Sequence, residues 1–297
     1  MAIINFGSIN IDHVYQVPHF VQPGETLSSN SYQKLLGGKG ANQSFALAKA
    51  GVDVRHVGLI NESDFAVKQA MIRAGVDCKH VKGTDTPSGH AIIQVADSGE
   101  NSIVLYAGAN HELSQEHVKA ALSEAQPGEW ILTQNETSAI AEAMEQAKQQ
   151  GLKIAFNPAP MTDSVRELPL EKVDLLIVNE VEAEALSGKA AIEDIEQYFR
   201  EALPNTNVIL TLGSKGAKLL TQTDSVFAAA FKVDAIDTTA AGDTFIGFFL
   251  SAYVQGTDAE SCIRRACAAS AIAVTRLGAA QSIPSVEEVD AFLQKHS

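Results

Sequence analysis

The sequence predicts a doubly wound α/β fold, in which helices flank a mainly parallel β-sheet. Short runs of β-branched and aliphatic residues alternate with helical stretches over most of the chain. The 297 residues, of which 45% are hydrophobic, are enough to bury a large core. Polar motifs also begin where several predicted strands end, which is where ligands bind in open sheets of this type. We therefore expect a single domain over residues 1–297, with a ligand site at the carboxyl ends of its strands.

The predicted elements follow one another along the chain. Strands are predicted at 2–6, 54–58, 130–132, 153–156, 175–178 and 208–211, and helices at 137–150 and 192–203. Two regions, 13–36 and 86–106, contain strand-like residues without a long helix. Residues 88–95 and 102–106 flank a polar turn and form a predicted β-hairpin. The residues alone leave open whether this hairpin covers a site or is a plain surface feature.

A segment of small residues, Asp-Thr-Thr-Ala-Ala-Gly-Asp-Thr-Phe at 237–245, joins an extended run to a helix. Apolar residues recur with helical spacing after Asp243, so the helix is predicted to begin between Ala241 and Asp243. The first N–H groups of a helix attract anions, and Ala240, Ala241 and Gly242 permit a close approach. Asp243 then lies where it can take a proton from an alcohol that attacks a phosphate. The alternative is an acidic residue that only complements the helix dipole.

A second glycine-rich junction, Gly-Gly-Lys-Gly-Ala-Asn-Gln at 37–43, also leads into a predicted helix. Lys39 and Asn42 bring two hydrogen-bond donors to one helix turn, and glycines permit backbone shapes that other residues forbid. The spacing matches neither the P-loop nor the dinucleotide-binding fingerprint. The residues alone are compatible with a ligand site or with a tight turn.

Composition excludes several classes of function. The formal charge of −14, without a basic patch, disfavours nucleic acid as a partner. No run approaches the ~18 apolar residues of a membrane span, and the first residues lack the pattern of a signal peptide. We therefore expect a cytoplasmic protein with no membrane partner. Cys78, Cys262 and Cys267 are odd in number and lack metal-ligand spacing, which favours reduced thiols.

The two junctions, in this order, resemble the two signatures of the ribokinase-like (PfkB) sugar kinase family. Further resemblance lies at residues 7–13, 23–26, 107–110, 157–160, 179–184, 211–216 and 271–276, so it covers nearly the whole chain. It implies an ATP-dependent kinase that phosphorylates the primary hydroxyl of D-ribose to give ribose 5-phosphate and ADP. It also implies that 13–36 and 86–106 form a β-sheet lid over the sugar, through which two chains pair as a homodimer. A lid suits this chemistry, because an open site would transfer phosphate to water.

The resemblance also implies a role for individual residues. Sugar contacts are expected at Asn10, Asp12, Gly38, Lys39, Asn42, Glu136 and Asp243. ATP contacts are expected at Asn179, Thr211, Gly213, Ser214, Gly216 and Gly242. Ala240, Ala241 and Gly242 are expected to form the anion-binding turn, with Asp243 as the catalytic base.

Two cations are implied as well. Glu182 is expected to order the water shell of Mg²⁺, an ion that keeps several waters and few protein ligands, although the residues alone also fit a solvated helix start. An activating K⁺ is expected at Asp237, Thr239, Ala273, Arg276, Gly278 and Ser282, with backbone oxygens supplying most of its ligands.

Four features depart from the family pattern: those at 61–66 and Ile246 leave the sugar open, and those at Asn135 and Ser138 bear on the role of Glu136. Residues 61–66 read Asn-Glu-Ser-Asp-Phe-Ala where the family often has Gly-Asp-Asp and a following Gly. Asn135, Ser138 and Ile246 replace an apolar residue, a proline and an asparagine, respectively. The alternatives are a kinase for another furanose, such as deoxyribose, a ketohexose or a nucleoside, and a sugar-binding regulator without catalysis. Retention of Asp243 argues against the regulator.

Overall fold

The computed structural model describes residues 2–296, which contain thirteen strands and nine α-helices. The strands are β1 (Ile3–Phe6), β2 (Asn10–Val17), β3 (Ser31–Gly37), β4 (Val54–Asn61), β5 (Asp77–Thr84), β6 (Gly89–Ala96), β7 (Asn101–Tyr106), β8 (Trp130–Gln134), β9 (Lys153–Asn157), β10 (Leu175–Asn179), β11 (Asn207–Thr211), β12 (Gly216–Leu220) and β13 (Ser225–Ala229). The helices are α1 (Lys39–Lys49), α2 (Phe65–Arg73), α3 (Gln115–Leu122), α4 (Ile140–Gln149), α5 (Glu180–Ser187), α6 (Ile192–Ala202), α7 (Ala241–Val254), α8 (Ala259–Val274) and α9 (Val286–Lys295).

Nine strands form the main sheet, in the order β13-β12-β11-β10-β9-β8-β1-β4-β5. Every pairing from β5 across to β11 is parallel, whereas β12 and β13 join as antiparallel strands at one edge. The prediction of a mainly parallel sheet is therefore confirmed.

Helices cover both faces of this sheet. Successive strand residues point to opposite faces, so Ile3 packs in one apolar cluster and Ile4 in the other. The first cluster is built with α1, α2, α7 and α8, and the second with α3, α4, α5 and α6. This two-sided packing is the doubly wound arrangement that the sequence predicted. Among residues 2–296, no helix combines the length and apolar character that a membrane span requires.

A separate four-stranded sheet has the order β3-β2-β6-β7. The predicted hairpin is present, because β6 and β7 pair antiparallel from His90 opposite Tyr106 to Val95 opposite Asn101. Strand β2 pairs antiparallel with β3 and parallel with β6. It begins at Asn10 rather than at residue 13, so Asn10 and Asp12 lie within the small sheet.

The predicted helix at 137–150 was wrong at its first turn. Helix α4 begins at Ile140 because Ala139 has a left-handed backbone with φ of 58°. Such a residue interrupts the right-handed helical path. The predicted helix at 192–203 agrees with α6 to within one residue.

Two close backbone contacts position α1, one against α7 and one against the residues that follow β1. Gly247 of α7 packs against Ala46 of α1 so closely that a Cβ added to Gly247 would lie 2.3 Å from the Ala46 Cβ. At the start of α1, a Cβ on Gly40 would lie 2.4 Å from the Gly7 Cα. Both contacts require glycine, because any larger residue would separate the backbones.

Candidate active site

Asp243 lies in the first turn of α7, which begins at Ala241 as the sequence predicted. The preceding Ala240 has a left-handed backbone with φ of 58°, an uncommon conformation for a residue with a Cβ. Such conformations cluster at functional sites, where the surrounding structure holds them. The first N–H groups of α7 lack intrahelical acceptors, so this turn is suited to an anion.

The Asp243 carboxylate receives a hydrogen bond on each oxygen from helix α1. Asn42 Nδ2 donates to Oδ2 at 3.1 Å, and Gln43 Nε2 donates to Oδ1 at 2.9 Å. The two residues are about two hundred positions away in sequence, and the packing of α1 on α7 brings them together. Asn42, a predicted sugar residue, is thus a neighbour of Asp243, and Gln43 is an additional one.

Charged groups of both signs surround Asp243. Burial raises the pKa of Asp243, while Lys39 and the two amide donors act in the opposite direction. Burial by itself would lower the pKa of Lys39, but the carboxylates of Asp243, Glu136 and Glu182 outweigh it and raise the pKa. Lys39 therefore stays cationic at neutral pH beside a carboxyl group that is more basic than usual.

The predicted sugar residues form a connected group beside Lys39. Glu136 accepts hydrogen bonds from the Ser8 hydroxyl and, at 3.0 Å, from the Lys39 backbone N–H. Burial is the main cause that raises the pKa of Glu136. Burial and then the nearby Glu136 charge raise the pKa of Asp12 to about 6. The structure thus places Asp12, Glu136 and Lys39 within electrostatic reach of one another.

Asn10 is held in place by Asn110. The Asn110 Nδ2 donates to Asn10 Oδ1 at 2.7 Å, and Asn110 Oδ1 accepts from the Ile9 backbone N–H at 2.9 Å. Gly38 caps the start of α1 with φ of 90°, and a Cβ there would lie 2.9 Å from the Asn10 backbone nitrogen. Asn10 and Gly38 are therefore neighbours, as a shared ligand site requires.

Two adjacent cavities meet at the first turn of α7. The smaller one, of about 240 Å³, has Lys39, Asn157, Glu182 and Asp243 in its lining. The larger one, of about 590 Å³, is more apolar and extends toward Phe231. Residues shared by both linings are Asn179, Thr211, Thr238, Ala241 and Gly242. All six predicted ATP residues line the larger cavity: Asn179, Thr211, Gly213, Ser214, Gly216 and Gly242.

Glu182 and Asn179 hold each other at the start of α5. Asn179 Oδ1 accepts from the Glu182 N–H at 2.8 Å, and Glu182 Oε2 accepts from the Asn179 N–H at 3.0 Å. This capping box commits one carboxylate oxygen of Glu182 to the backbone. Burial raises the pKa of Glu182, whose side chain lines the smaller cavity with Lys39 and Asp243. Among residues 2–296, no three acidic, histidine or cysteine side chains group closely enough to hold a metal alone.

The predicted potassium residues lie in the loop before α7 and at and beyond the end of α8, and Asp237 joins these two segments. Its Oδ1 accepts from the Thr239 N–H and its Oδ2 from the Gly278 N–H, each at 2.9 Å. Burial opposes ionisation of Asp237, but these hydrogen bonds outweigh it and lower its pKa. The buried Ser282 hydroxyl donates to the Ala279 carbonyl at 2.7 Å.

The two remaining predicted potassium residues also bond to each other. The Ala273 carbonyl accepts from the Arg276 N–H at 3.0 Å. These segments carry a carboxylate and carbonyl oxygens, which are the ligand types of a hard cation, and those of Asp237, Ala273 and Ala279 each accept a hydrogen bond within the chain.

Three of the features that depart from the family pattern make hydrogen bonds to neighbouring segments. Asn135 Nδ2 donates to the Pro160 carbonyl at 2.7 Å, and Ser138 Oγ donates to the Leu113 carbonyl at 2.7 Å. Asp64, in the divergent 61–66 segment, binds Lys34 of β3 and the Ser88 hydroxyl. This segment is therefore tied to the small sheet.

Sequence reasoning missed several polar residues of the site. Gln43 and Gln134 were not singled out, because a single glutamine carries no motif. Asn110 and Asn157 lie in motifs that resembled the family, but no role was assigned to them. For Gln134 and Asn157, the available signal was their position as the last residues of β8 and β9.

Comparison with known proteins places this site in a family. The model of the pfkB family carbohydrate kinases matches residues 2–286. A ribokinase of Haemophilus influenzae is 40% identical over 97% of each chain, and a deoxyribokinase of Salmonella typhi is 33% identical over 99% of each. Among solved structures, an Arabidopsis thaliana ribokinase complexed with ribose and ATP is 30% identical, with a TM-score of 0.87 over 99% of this chain and 98% of that one. These matches show that the chain belongs to the pfkB family of carbohydrate kinases.

Proposed function

We propose that this chain transfers the γ-phosphoryl group of ATP to the primary hydroxyl of D-ribose, giving ribose 5-phosphate and ADP. The observation that carries the proposal is the position of Asp243. Its carboxylate lies in the first turn of α7, near the Lys39 cation, where a nucleotide-sized cavity meets a smaller one. A base, a cation and a helix N-terminus at one point are the parts that phosphoryl transfer requires.

In the proposed reaction, Asp243 accepts the proton of the sugar hydroxyl as the hydroxyl oxygen attacks the γ-phosphorus. The bond from that phosphorus to the bridging oxygen breaks, and ADP leaves with the electron pair. The Gly242 backbone N–H and the Lys39 ammonium stabilise the charge on the transferring group. The Ala241 N–H donates to the Thr238 carbonyl at 3.2 Å and would exchange that partner to join them. The raised pKa of Asp243 suits this role, because it makes the carboxylate a stronger base than a solvated aspartate.

Magnesium would enter with ATP, and Glu182 is the residue that fits it. The Glu182 carboxylate has one oxygen outside the capping box and is buried to 8% exposure in the lining of the smaller cavity. A bound Mg²⁺ would neutralise charge on the ATP phosphates. A lone carboxylate is sufficient, because waters and phosphate oxygens complete the octahedral shell of Mg²⁺.

Ribose is the proposed sugar because the relatives of 36–40% identity are named ribokinases. Asn10, Asp12 and Glu136 supply the amide and carboxylate oxygens that bind neighbouring hydroxyls. Deoxyribose is the second candidate, since a deoxyribokinase is 33% identical over the whole length. The 61–66 segment, which contacts the small sheet, is where a different sugar preference would arise.

We also propose that the small sheet, formed within 13–36 and 86–106, acts as a lid and pairs with the lid of a second copy. Strand β7 is the edge of that sheet and all its residues are exposed, including Val104 at 66% and Ile103 at 55%. An apolar, unpaired edge strand is a template for association. Activation by K⁺ at the Asp237 loops and a cytoplasmic location complete the proposal. The three free, buried cysteines are consistent with a reducing compartment.

The test is release of ADP from ATP and magnesium with ribose, deoxyribose, fructose or adenosine as acceptor. We expect the highest kcat/KM with ribose. A higher value with another acceptor would support a kinase with a different substrate. An absence of turnover with all four would favour a sugar-binding regulator.

Replacing the base tests the mechanism. Asp243→Asn is expected to lower kcat by about 10²- to 10⁴-fold while the protein still binds sugar. Asp194→Asn is the matched control, because Asp194 is an exposed acid in the first turn of α6, away from both cavities. If Asp243 only complemented the helix dipole, the two variants would show similar activity.

A further inference from the structure

A chain of buried polar side chains leads away from Asp243 into the core. Gln43 Oε1 accepts a hydrogen bond from Gln134 Nε2 at 2.8 Å. The same Gln134 nitrogen donates to Asn5 Oδ1 at 3.0 Å. Gln43, Gln134 and Asn5 are each no more than 1% exposed. Each of these amides bonds within the group, while the buried Gln134 Oε1 has no hydrogen-bond partner among residues 2–296. Buried hydrogen-bonded networks rigidify their surroundings.

The chain ends at a histidine that is fully buried. Asn5 Nδ2 donates to Ser44 Oγ at 2.8 Å, and Ser44 Oγ lies 2.8 Å from His56 Nδ1. His56 Nε2 lies 3.0 Å from the Gly7 carbonyl oxygen. Burial lowers the pKa of His56 to about 4, so its ring is neutral at physiological pH. The Gly7 carbonyl can only accept, so the single ring proton is on Nε2 and Nδ1 accepts from the Ser44 hydroxyl.

This end point sets the direction of the amides, together with the Gly40 carbonyl, which accepts from Asn5 Nδ2 at 2.8 Å. The Ser44 hydroxyl donates to His56, so its oxygen accepts from the Asn5 amide nitrogen, and the Asn5 oxygen faces Gln134. Gln134 then presents its second N–H to the Gln43 oxygen, which turns the Gln43 nitrogen toward Asp243. A reversed Gln43 amide would set its oxygen against the Asp243 carboxylate and against Asn157 Oδ1, 3.3 Å from the Gln43 nitrogen. The observed orientation is the one in which each donor meets an acceptor.

We infer that Gln43 is a positioning residue for Asp243, held in its orientation by the buried chain from Gln134 to His56. Its N–H fixes the carboxylate rotamer and stabilises the ionised form that accepts the sugar proton. The inference rests on the proposed role of Asp243 as the catalytic base. Gln134 acts through Gln43, since its hydrogen bonds go to Gln43 and Asn5.

The other charged groups that face Asp243 come from three elements. Lys39 is on α1, Glu136 follows β8, and Glu182 is on α5. Lys39 favours the ionised carboxylate, and the two glutamates oppose it. None of these groups changes in a Gln43 variant. Loss of the Gln43 donor is therefore expected to raise the pKa of Asp243 and to move the acid limb of the rate profile to higher pH.

The test is the pH dependence of a single turnover, with enzyme in excess over ATP and ribose saturating, so that product release does not mask the transfer step. Gln43→Met keeps the side-chain length and removes the donor. We expect the acid limb to move up by about one to two pH units. We also expect the rate at the optimum to fall at least about tenfold, with KM for ribose changed by less than about threefold.

Two further variants keep the inference falsifiable if Gln43→Met is unstable. Gln134→Met is expected to shift the limb in the same direction by less, and to add no shift in the Gln43→Met background. Thr244→Val is the control, because Thr244 adjoins Asp243 and its buried hydroxyl has no hydrogen-bond partner among residues 2–296. It should leave the limb in place.

The inference is overturned if Gln43→Met is folded, as judged by thermal melting, and has the wild-type acid limb and rate. It is also overturned if the Gln43→Met/Gln134→Met double variant shows the pH shift of Gln134→Met in addition to that of Gln43→Met. That result would leave the proposed function intact, because wild-type turnover on ribose and its loss in Asp243→Asn are measured separately.

Discussion

Gly247→Ala is the most informative single substitution for the geometry of the site. Gly247 lies in the middle of α7, one turn beyond Asp243, and faces Ala46 of α1. Helix α1 carries Asn42 and Gln43, the two donors to Asp243. The distance between the two helices at Gly247 therefore controls the hydrogen bonds on which the proposed base depends.

The magnitude follows from the contact distances. An alanine Cβ at position 247 would lie 2.3 Å from the Ala46 Cβ and 2.8 Å from the Leu47 nitrogen. Carbon atoms in contact lie about 3.5–4.0 Å apart, so the helices must separate by about 1–2 Å. Overpacking of this kind costs about 1–3 kcal/mol, part of which the better helix propensity of alanine offsets. A misplacement of about 1 Å at a catalytic group lowers the rate about 100-fold.

The assays are thermal melting and steady-state turnover on ribose. We expect Gly247→Ala to lower Tm by about 2–6 °C and kcat by about 10- to 100-fold. Gly242→Ala is the control for stability, because it lies in the same helix and a Cβ there would meet no atom within 4 Å. Its Tm should equal or exceed that of the wild type. Wild-type Tm and kcat in Gly247→Ala would refute the argument that this contact sets the geometry.

Three further predictions concern the sugar site, the cation loops and the lid. Because the pKa of Asp12 is raised from 3.8 to about 6, the stability it contributes is full below pH 3.8 and is lost as the pH rises through 6. Without sugar, Asp12→Asn should therefore melt above the wild type at pH 7 but not at pH 4. An equal Tm difference at both pH values would contradict this. Replacing sodium by potassium should raise turnover of the wild type and have little effect on Asp237→Ala, whereas equal wild-type activity in both salts would exclude the cation site. Val104→Lys should convert a dimer into a monomer in sedimentation velocity without changing Tm by more than about 2 °C, and a monomeric wild type would exclude lid pairing.

The amino-acid sequence determined the local features of this protein. The alternation of strand and helix patterns predicted a mainly parallel sheet with helices on both faces, because side-chain periodicity reflects which face each element buries. The start of α7 at Ala241 and the hairpin of β6 and β7 were also predictable, because small residues, turn residues and apolar spacing act over a few positions. Asp243 was identified for the same reason.

Only the tertiary structure decided which groups meet Asp243. Asn42 and Gln43 are 201 and 200 positions away, and no periodicity specifies that both reach one carboxylate. The contact depends on the close backbone approach at Gly247, which is a property of two packed helices and not of either sequence segment. The parallel pairing of β2 with β6 and the chain from Gln43 to His56 are likewise long-range. The raised pKa values of Asp12, Glu136 and Asp243 were unpredictable from sequence as well, because they arise from burial, which exists only once the chain is folded.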